Sequence, residues 1–258
     1  MPEGAPEPFE IADAPVPLLS TVRAAAGLQL PARYRTDLWD RRFRALLATI
    51  LEPGCAVLDL GGGARPTISA GFRPAPLSYV GLDIDASELE KAPSGSYDET
   101  HVARGEELVP ALVGRFDVVL SFFVLEHVVS TEATIANMRR YLKPGGWLLA
   151  QLAGRNSPFA FINRIVSSDL TKRMLARGTD REPETVFPAN YDGCTYTDLT
   201  LILSSGWHDV EVMPLFTAAR YVLFSRLLTA SYVLYEDWAY RRERRDLAPY
   251  YFVAARRS

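Results

Sequence analysis

Val57-Leu58-Asp59-Leu60-Gly61-Gly62-Gly63 runs from an apolar strand through a carboxylate into three glycines. Glycine carries no Cβ, so a backbone built this way approaches a ligand closely, and the carboxyl end of a strand is where open α/β sheets bind cofactors. Alone, the pattern also suits a tight turn after any buried strand. It is narrowed by Tyr79-Val80-Gly81-Leu82-Asp83, an apolar run ending in an acid 20 residues after Gly63. An acid at that tip can accept both hydroxyls of a ribose, by the logic of the dinucleotide-binding fold.

Further out, Phe116 to Leu120 and Trp147 to Leu152 join Ala56 to Leu60 and Tyr79 to Leu82 as continuous apolar runs. Runs of that length, separated by mixed or helical segments, are strands buried on both faces of a parallel sheet. Trp39, Phe43, Leu46, Leu47 and Ile50 recur at helical spacing between Tyr34 and Leu51, and Glu52-Pro53-Gly54 stops that helix. Thr131 to Leu142 predicts a crossover helix with Ile135, Met138 and Leu142 on one face, ended by Lys143-Pro144-Gly145-Gly146. Residues 154–198 read as loops and short helices over one end of the sheet, where substrate contacts are often carried. A short helix over Leu199 to Ser205 and strands over Val210 to Leu215 and Tyr250 to Ala255 close the pattern. Between those two strands lies an inserted segment, Thr217 to Arg245, most of it one long helix.

The chain has 258 residues, 28 Lys+Arg against 31 Asp+Glu, and a net charge of -3, which fits one large α/β domain and sets up no field to attract nucleic acid. Hydrophobic residues at 48% and charged ones at 23% exclude wholesale disorder. Cys55 and Cys194 stand far apart without zinc spacing and read as reduced, buried thiols. Prolines 2, 6, 8, 15 and 17 make residues 1–30 a flexible leader, followed by a single domain over 31–258. That leader carries acids where a secretory signal would carry basic residues, so a cytoplasmic protein is expected.

At this point the residues resemble the class I S-adenosylmethionine (SAM)-dependent methyltransferases. Phe116-Asp117-Val118-Val119-Leu120-Ser121 looks like the family's fourth strand. Val124-Leu125-Glu126-His127-Val128 looks like the segment facing the methyl group, and Leu142-Lys143-Pro144-Gly145-Gly146 like the turn before the fifth strand. The motifs occur in family order over roughly residues 34 to 155, and Ser205-Gly206-Trp207 resembles a later helix–strand turn. The resemblance implies a doubly wound, Rossmann-like α/β fold whose seven-stranded sheet has its last strand antiparallel. It also implies SAM as cofactor and S-adenosylhomocysteine as product. Asp59, Gly61, Gly62 and Gly63 would surround the amino acid end of SAM, Asp83 would hold its ribose, Ile84 would pack on the adenine, and Ser121 would border the cofactor. Arg104 occupies the place where the family usually has an acid near the adenine amino group, with Glu106 and Glu107 just beyond. Arg65 stands where a third glycine is common, and Pro66 shortens the helix that follows. A nicotinamide-binding domain would need glycine at position 66 and gives no role to the Leu125-Glu126-His127 segment.

The methyl of SAM sits on a good leaving group, so the protein mainly has to align a nucleophile and exclude water. An amine needs no more, whereas a hydroxyl gains from a neighbouring base. His127, after the fourth strand, is the candidate base, with a pocket-lining role as its alternative; Glu126 is either catalytic or an acid at a helix start. His101 and His208 read as surface residues. In the ubiquinone-pathway O-methyltransferases, which this segment resembles, an acid three residues before the Glu helps bind a divalent ion. That position is Phe123 here, so no metal is expected. Arg155 and Asn156 could orient an acceptor, Tyr34 and Arg35 could cover the site, and Tyr191 and Asp192 are lid candidates.

The insertion is rich in aromatics, with Tyr221, Phe224, Tyr232, Tyr235, Trp238 and Tyr240, while Arg220 and Arg226 argue against a transmembrane span. It reads as a helix packed on the sheet or against a second copy in a homodimer, or else as an interfacial helix in peripheral membrane contact, with Arg241, Arg242, Arg244 and Arg245 near acidic headgroups. Similar extensions in methyltransferases of polysaccharide and lipid-linked glycan assembly lean the acceptor toward a small-molecule or saccharide hydroxyl. The rival readings are N- or C-methylation and a non-catalytic SAM-binding module partnering another enzyme.

Overall fold

The computed structural model describes residues 31–34, 38–158, 160, 189–222 and 225–258. The leader, Arg35, Phe224 and most of the stretch between Arg155 and Tyr191 lie outside the described residues.

The strands are β1 (Ala56–Leu60), β2 (Ser78–Asp83), β3 (Glu99–Val102), β4 (Phe116–Phe122), β5 (Leu142–Ala153), β6 (Trp207–Leu215) and β7 (Tyr250–Arg257). They form one seven-stranded sheet in the order β3-β2-β1-β4-β5-β7-β6. The first five are parallel where they neighbour one another, and β7 runs antiparallel to both β5 and β6. This is the expected doubly wound arrangement. The order reverses beside β1, so the crevice at the carboxyl ends of β1 and β4 is the topological switch point.

Both faces are covered because the central strands are apolar on both sides. Leu58, Val80, Val119 and Leu148 enter one core with Ile135 and Met138. Val57, Tyr79, Val118 and Leu149 enter the other with Phe43 and Leu47. The second group includes residues of α1 (Leu38–Ile50), and the first residues of α3 (Thr131–Tyr141) and α4 (Tyr196–Ile202). Ser130 starts α3 by accepting the Ala133 N–H, and Thr195 starts α4 by accepting the Asp198 N–H at 3.1 Å. That cap begins α4 three residues earlier than the expected Leu199, and the helix ends at Ile202.

Three further differences have local causes. The β1–β2 crossover contains only the 3₁₀ turn Ala70–Phe72, because Pro66, Pro74 and Pro76 lack the N–H groups a helix would use. After it, α2 (Ala86–Glu90) is a short helix capped by Asp85. β5 begins at Leu142 rather than Trp147: Leu142 pairs with Phe116, the register shifts, and pairing resumes at Val118 and Trp147. Gly145, at φ +78°, takes up the irregularity. The insertion is a 3₁₀ stretch, Ala218–Val222, then α5 (Arg226–Arg241), then a 3₁₀ turn, Arg245–Leu247. No described helix is long and apolar enough to cross a membrane.

The outermost strands are β3, where Glu99 meets His101 and Arg115, and β6, whose pairing slips between His208 and Glu211. The cysteines are free; Cys194 is buried and Cys55 half-buried.

Candidate active site

The glycine turn after β1 is held from below by Asp59. This carboxylate is fully buried and accepts the Thr67 N–H at 2.7 Å, the Thr67 hydroxyl at 2.7 Å and the Tyr79 hydroxyl at 2.8 Å. Tyr79 accepts in turn from the Ile68 N–H at 3.0 Å. Arg73 stands 3.4 Å over the Tyr79 ring and donates to the carbonyls of Ile68 and Ser96. Burial raises the Asp59 pKa, and the bonds from Thr67 and Tyr79 oppose that rise. Asp59 therefore ties the outgoing strand to the returning loop, and the geometry turns its oxygens inward.

Three close approaches shape the turn. Gly61, at φ +79°, lies where a Cβ would collide with the Val124 side chain. A Cβ on Gly62 would come within 2.5 Å of both Asp59 and the Tyr97 hydroxyl, and one on Gly63 within 3.2 Å of Asp83 Oδ2. The backbone of the turn thus touches the β4 loop, the carboxylate beneath it and the acid at the tip of β2. Tyr97, stacked on Tyr79, donates to the Gly63 carbonyl at 3.1 Å.

Asp83 ends β2 with its Oδ1 accepting the Asp85 N–H, and burial raises its pKa. Beside it Ile84 is 51% exposed, an apolar side chain left open at the strand tip. Arg104 is exposed and faces Glu106 at 3.7 Å, while Glu106 accepts the N–H groups of Val129 and Ser130. The loop after β3 is thereby tied to the loop after β4. Ser121 is buried at the end of β4, and its hydroxyl has no hydrogen-bond partner among the described residues.

Phe123 leaves β4 at φ +56°, uncommon for a non-glycine residue and typical of sites where surrounding structure fixes the backbone. Its ring meets that of Tyr250 edge-on at 5.8 Å. Glu126 follows, fully buried rather than solvated at a helix start. Its Oε1 accepts the Ala153 N–H at 3.3 Å, and its Oε2 has no partner among the described residues. Burial pushes its pKa up to about 8, so the carboxyl is largely neutral at pH 7. His127 is half-buried, its N–H bonded to the Val124 carbonyl. Asn190 clamps this loop, donating its backbone N–H to the Glu126 carbonyl and its Nδ2 to the carbonyls of His127 and Val128.

Two expected covering residues are buried. Tyr191 is 3% exposed, in the core with Leu125 and Cys194, so Asn190 rather than Tyr191 meets the candidate base. Tyr34 is buried too, under the guanidinium of Arg33 at 5.0 Å. Their aromatic rings gain more from burial than from covering a site. Arg155 and Asn156 are exposed just past β5, where the Arg155 N–H bonds the Cys194 carbonyl. His101 is bonded to Glu99 on β3 and His208 lies near Ser258, both away from this loop. Among the described residues no group of three or more His, Cys, Asp and Glu could hold a metal ion.

The residues matched by a family model described as a methyltransferase domain are 32–196, well over half of the chain. The chain belongs to the SAM-dependent methyltransferases. Its strand ends fit their cofactor: a glycine turn pressed against Asp83, the open apolar side chain of Ile84 beside that acid, and the unpartnered Ser121 hydroxyl face the switch point. Similar relatives include a ubiquinone biosynthesis O-methyltransferase of Bordetella avium, 30% identical over 49% of this chain and 54% of the relative. The enzyme of that name from Xanthomonas axonopodis pv. citri is 28% identical over 68% of this chain and 77% of its own. This methyltransferase spans about half to three-fifths of the first relatives it matches, 54% to 61% of their length. Among solved structures it is similar to the CurJ carbon methyltransferase, with a TM-score of 0.52 and 16% identity over 84% of this chain and 52% of that one. The phosphoethanolamine N-methyltransferase 2 of Haemonchus contortus gives 0.51 and 18% over 85% and 53%. At such identity these likenesses speak for the fold alone.

Sequence reading missed Thr67, Tyr79 and Arg73 as the frame of the glycine turn, and Asn190 as the clamp. The buried Tyr79 inside an otherwise aliphatic strand was the available signal.

Proposed function

We propose that this methyltransferase moves a methyl group from SAM to an oxygen of a small molecule, with His127 as the general base. The observation that carries the proposal is the position of the Glu126-His127 pair, on a loop at the carboxyl end of β4 and pinned by Asn190 beside the glycine turn. SAM, when bound, supplies a methyl on a sulfonium that is already a good leaving group. The glycine turn and Asp83 would hold and orient it, with the Phe123 and Tyr250 rings packed edge-on on the side of β5 and β7. A half-buried imidazole beside an acceptor hydroxyl takes its proton as the oxygen attacks. Glu126, neutral in its buried place, shapes the loop through the bond its Oε1 accepts from the Ala153 N–H.

The similarity to enzymes named for O-methylation in ubiquinone biosynthesis supports oxygen over nitrogen or carbon. A saccharide hydroxyl remains the second acceptor class, and Arg155 and Asn156, exposed past β5, are the residues to orient either one. A cytoplasmic setting without nucleic acid is part of the same proposal.

The test is incubation with methyl-labelled SAM and either phenolic or saccharide acceptors, with His127→Ala alongside. Label on oxygen that is lost in the variant supports the proposal and selects the acceptor class. Label that persists undiminished in the variant removes His127 from the mechanism, and tight SAM binding without transfer to any acceptor favours a binding module.

A further inference from the structure

Helix α5 shows large apolar side chains to solvent while burying a carboxyl and a hydroxyl. Its fully buried residues are Thr229, Glu236 and Ala239, whereas Leu227 is 77% exposed, Leu234 69% and Trp238 49%. At about 100° per residue, Leu227, Leu234 and Trp238 fall within about 40° of one another, diametrically opposite Glu236. The polar residues of the inward face are engaged within the fold: the Glu236 carboxylate accepts the Ala218 N–H at 2.8 Å, starting the preceding 3₁₀ stretch, and the Thr229 hydroxyl donates to the Val222 carbonyl at 2.8 Å. Among the described residues nothing covers the outward face. A stripe of two leucines and a tryptophan about 16 Å long, open to solvent, is the kind of exposed apolar surface that marks a binding site.

The stripe does not end in neutral surface. The next turn on the same line carries Arg241 and Arg242, followed by Arg244 and Arg245, and Arg226 opens the other end; all five are exposed. Arg241, Arg242 and Arg244 make no ion pair among the described residues. The nearby acids are engaged: Glu243 faces Arg245, Asp246 accepts from Thr197, and Asp237 pairs with Arg33. A cleft lined by Trp238, Arg244, Arg245 and Tyr196 lies at the arginine end.

We infer that α5 is a surface-lying membrane helix that seats this methyltransferase on an anionic lipid bilayer. The leucines and the indole enter the boundary between headgroups and acyl chains, while the arginines extend along their stems to lipid phosphates. Each signal alone gives weak, reversible attachment, and the helix carries both. A second copy docked through the same helix would cover the leucines but would bring its own arginines, the acids of that helix, Glu236 and Asp237, being engaged with Ala218 and Arg33. The helix lies between the end of β6 and the start of β7, both at the carboxyl edge of the sheet, so the bilayer adjoins the edge that holds the glycine turn. The inference stands independently of which atom is methylated.

The experiment is co-sedimentation of the full chain with phosphatidylcholine vesicles, with and without about a third phosphatidylglycerol, over a range of salt. Binding at least about tenfold tighter to the anionic vesicles, weakening as salt rises, is expected. Tryptophan emission should shift to the blue on binding, a shift absent from Trp238→Phe. Leu234→Glu and a double Arg241→Gln, Arg242→Gln variant should each lose most of the binding while keeping the wild-type circular dichroism and SAM affinity, since these side chains face solvent. Equal binding to neutral and anionic vesicles, or none to either, overturns the inference. So does dimerisation that is abolished by Leu234→Glu without vesicle binding, which would assign the stripe to a second copy.

Discussion

Asp59 and Thr67 are joined twice, the carboxylate of β1 accepting both the backbone N–H and the hydroxyl of Thr67 at 2.7 Å. The loop that leaves β1 is therefore fastened to the strand it leaves, and the glycines between them are held in one conformation before a cofactor arrives.

That fastening depends on Tyr79 as much as on Thr67. Tyr79→Phe removes one donor from a fully buried carboxylate and one acceptor from the Ile68 N–H. A loss of about 1–3 kcal/mol in unfolding free energy is expected, from urea denaturation, together with weaker SAM binding by calorimetry. Wild-type stability in the variant would show that the network contributes nothing.

Gly61→Ala meets two obstacles at once, a φ of +79° and the Val124 side chain. The strain should cost more than about 1 kcal/mol and push the turn away from the β4 loop, so SAM affinity should fall more steeply than stability does. Gly54→Ala, at φ +94° with open space around it, is the control: it should lose stability alone.

Glu126 sets a pH dependence with a definite sign. Its carboxyl is held protonated up to about pH 8 in the folded chain and ionises near its ordinary value of 4.5 when unfolded. The folded state thus binds the extra proton between those values, and stability falls as pH rises across that window. Glu126→Gln keeps a neutral acceptor for the Ala153 N–H and removes the titration. Relative to wild type the variant should gain stability from pH 5 to pH 8, by an amount on the order of a few kcal/mol in denaturant melts. Parallel curves would place the carboxyl's titration elsewhere.

Arg33 fastens residues 31–34 to the insertion, pairing with Asp237, donating to the Phe216 carbonyl at 2.8 Å and lying over the rings of Tyr34 and Tyr240. Arg33→Met leaves Asp237 without its guanidinium, and a loss of roughly 3 kcal/mol is expected. Limited proteolysis should then cut near residues 31–34 faster than in the wild type, which the Arg33→Lys variant should partly restore.

Much of this architecture was legible because it is local. Strand ends, the glycine turn, Asp83 and the Glu126-His127 segment announce themselves within a few residues, and the seven-stranded sheet with its antiparallel last strand followed from their order. What was hidden is made of long-range contacts. Tyr79 reaches Asp59 across 20 positions and Asn190 reaches His127 across 63, and neither pairing leaves a periodic trace. The burial of Tyr34 and Tyr191, both expected near the site as covers, is likewise set by distant packing that their neighbours in sequence do not reveal. The crossover after β1 showed its prolines plainly, but the bonds by which Arg73 and Tyr79 hold Ile68 beside it did not show.

The two outer strands carry a consequence for how copies of this chain can meet. An unpaired strand edge is a template on which another chain can hydrogen-bond, in orderly dimers or in aggregates. Here β3 is only four residues long and fringed by Glu99, His101 and Arg115. At the opposite margin β6 is broken in register, kinked at Asp209 with φ +51°, interrupted by Pro214 and guarded by the Arg42–Glu211 pair. Neither margin presents a flat ladder, so the sheet resists being lengthened by a neighbour, even in a crowded cell or during slow folding of its parallel half.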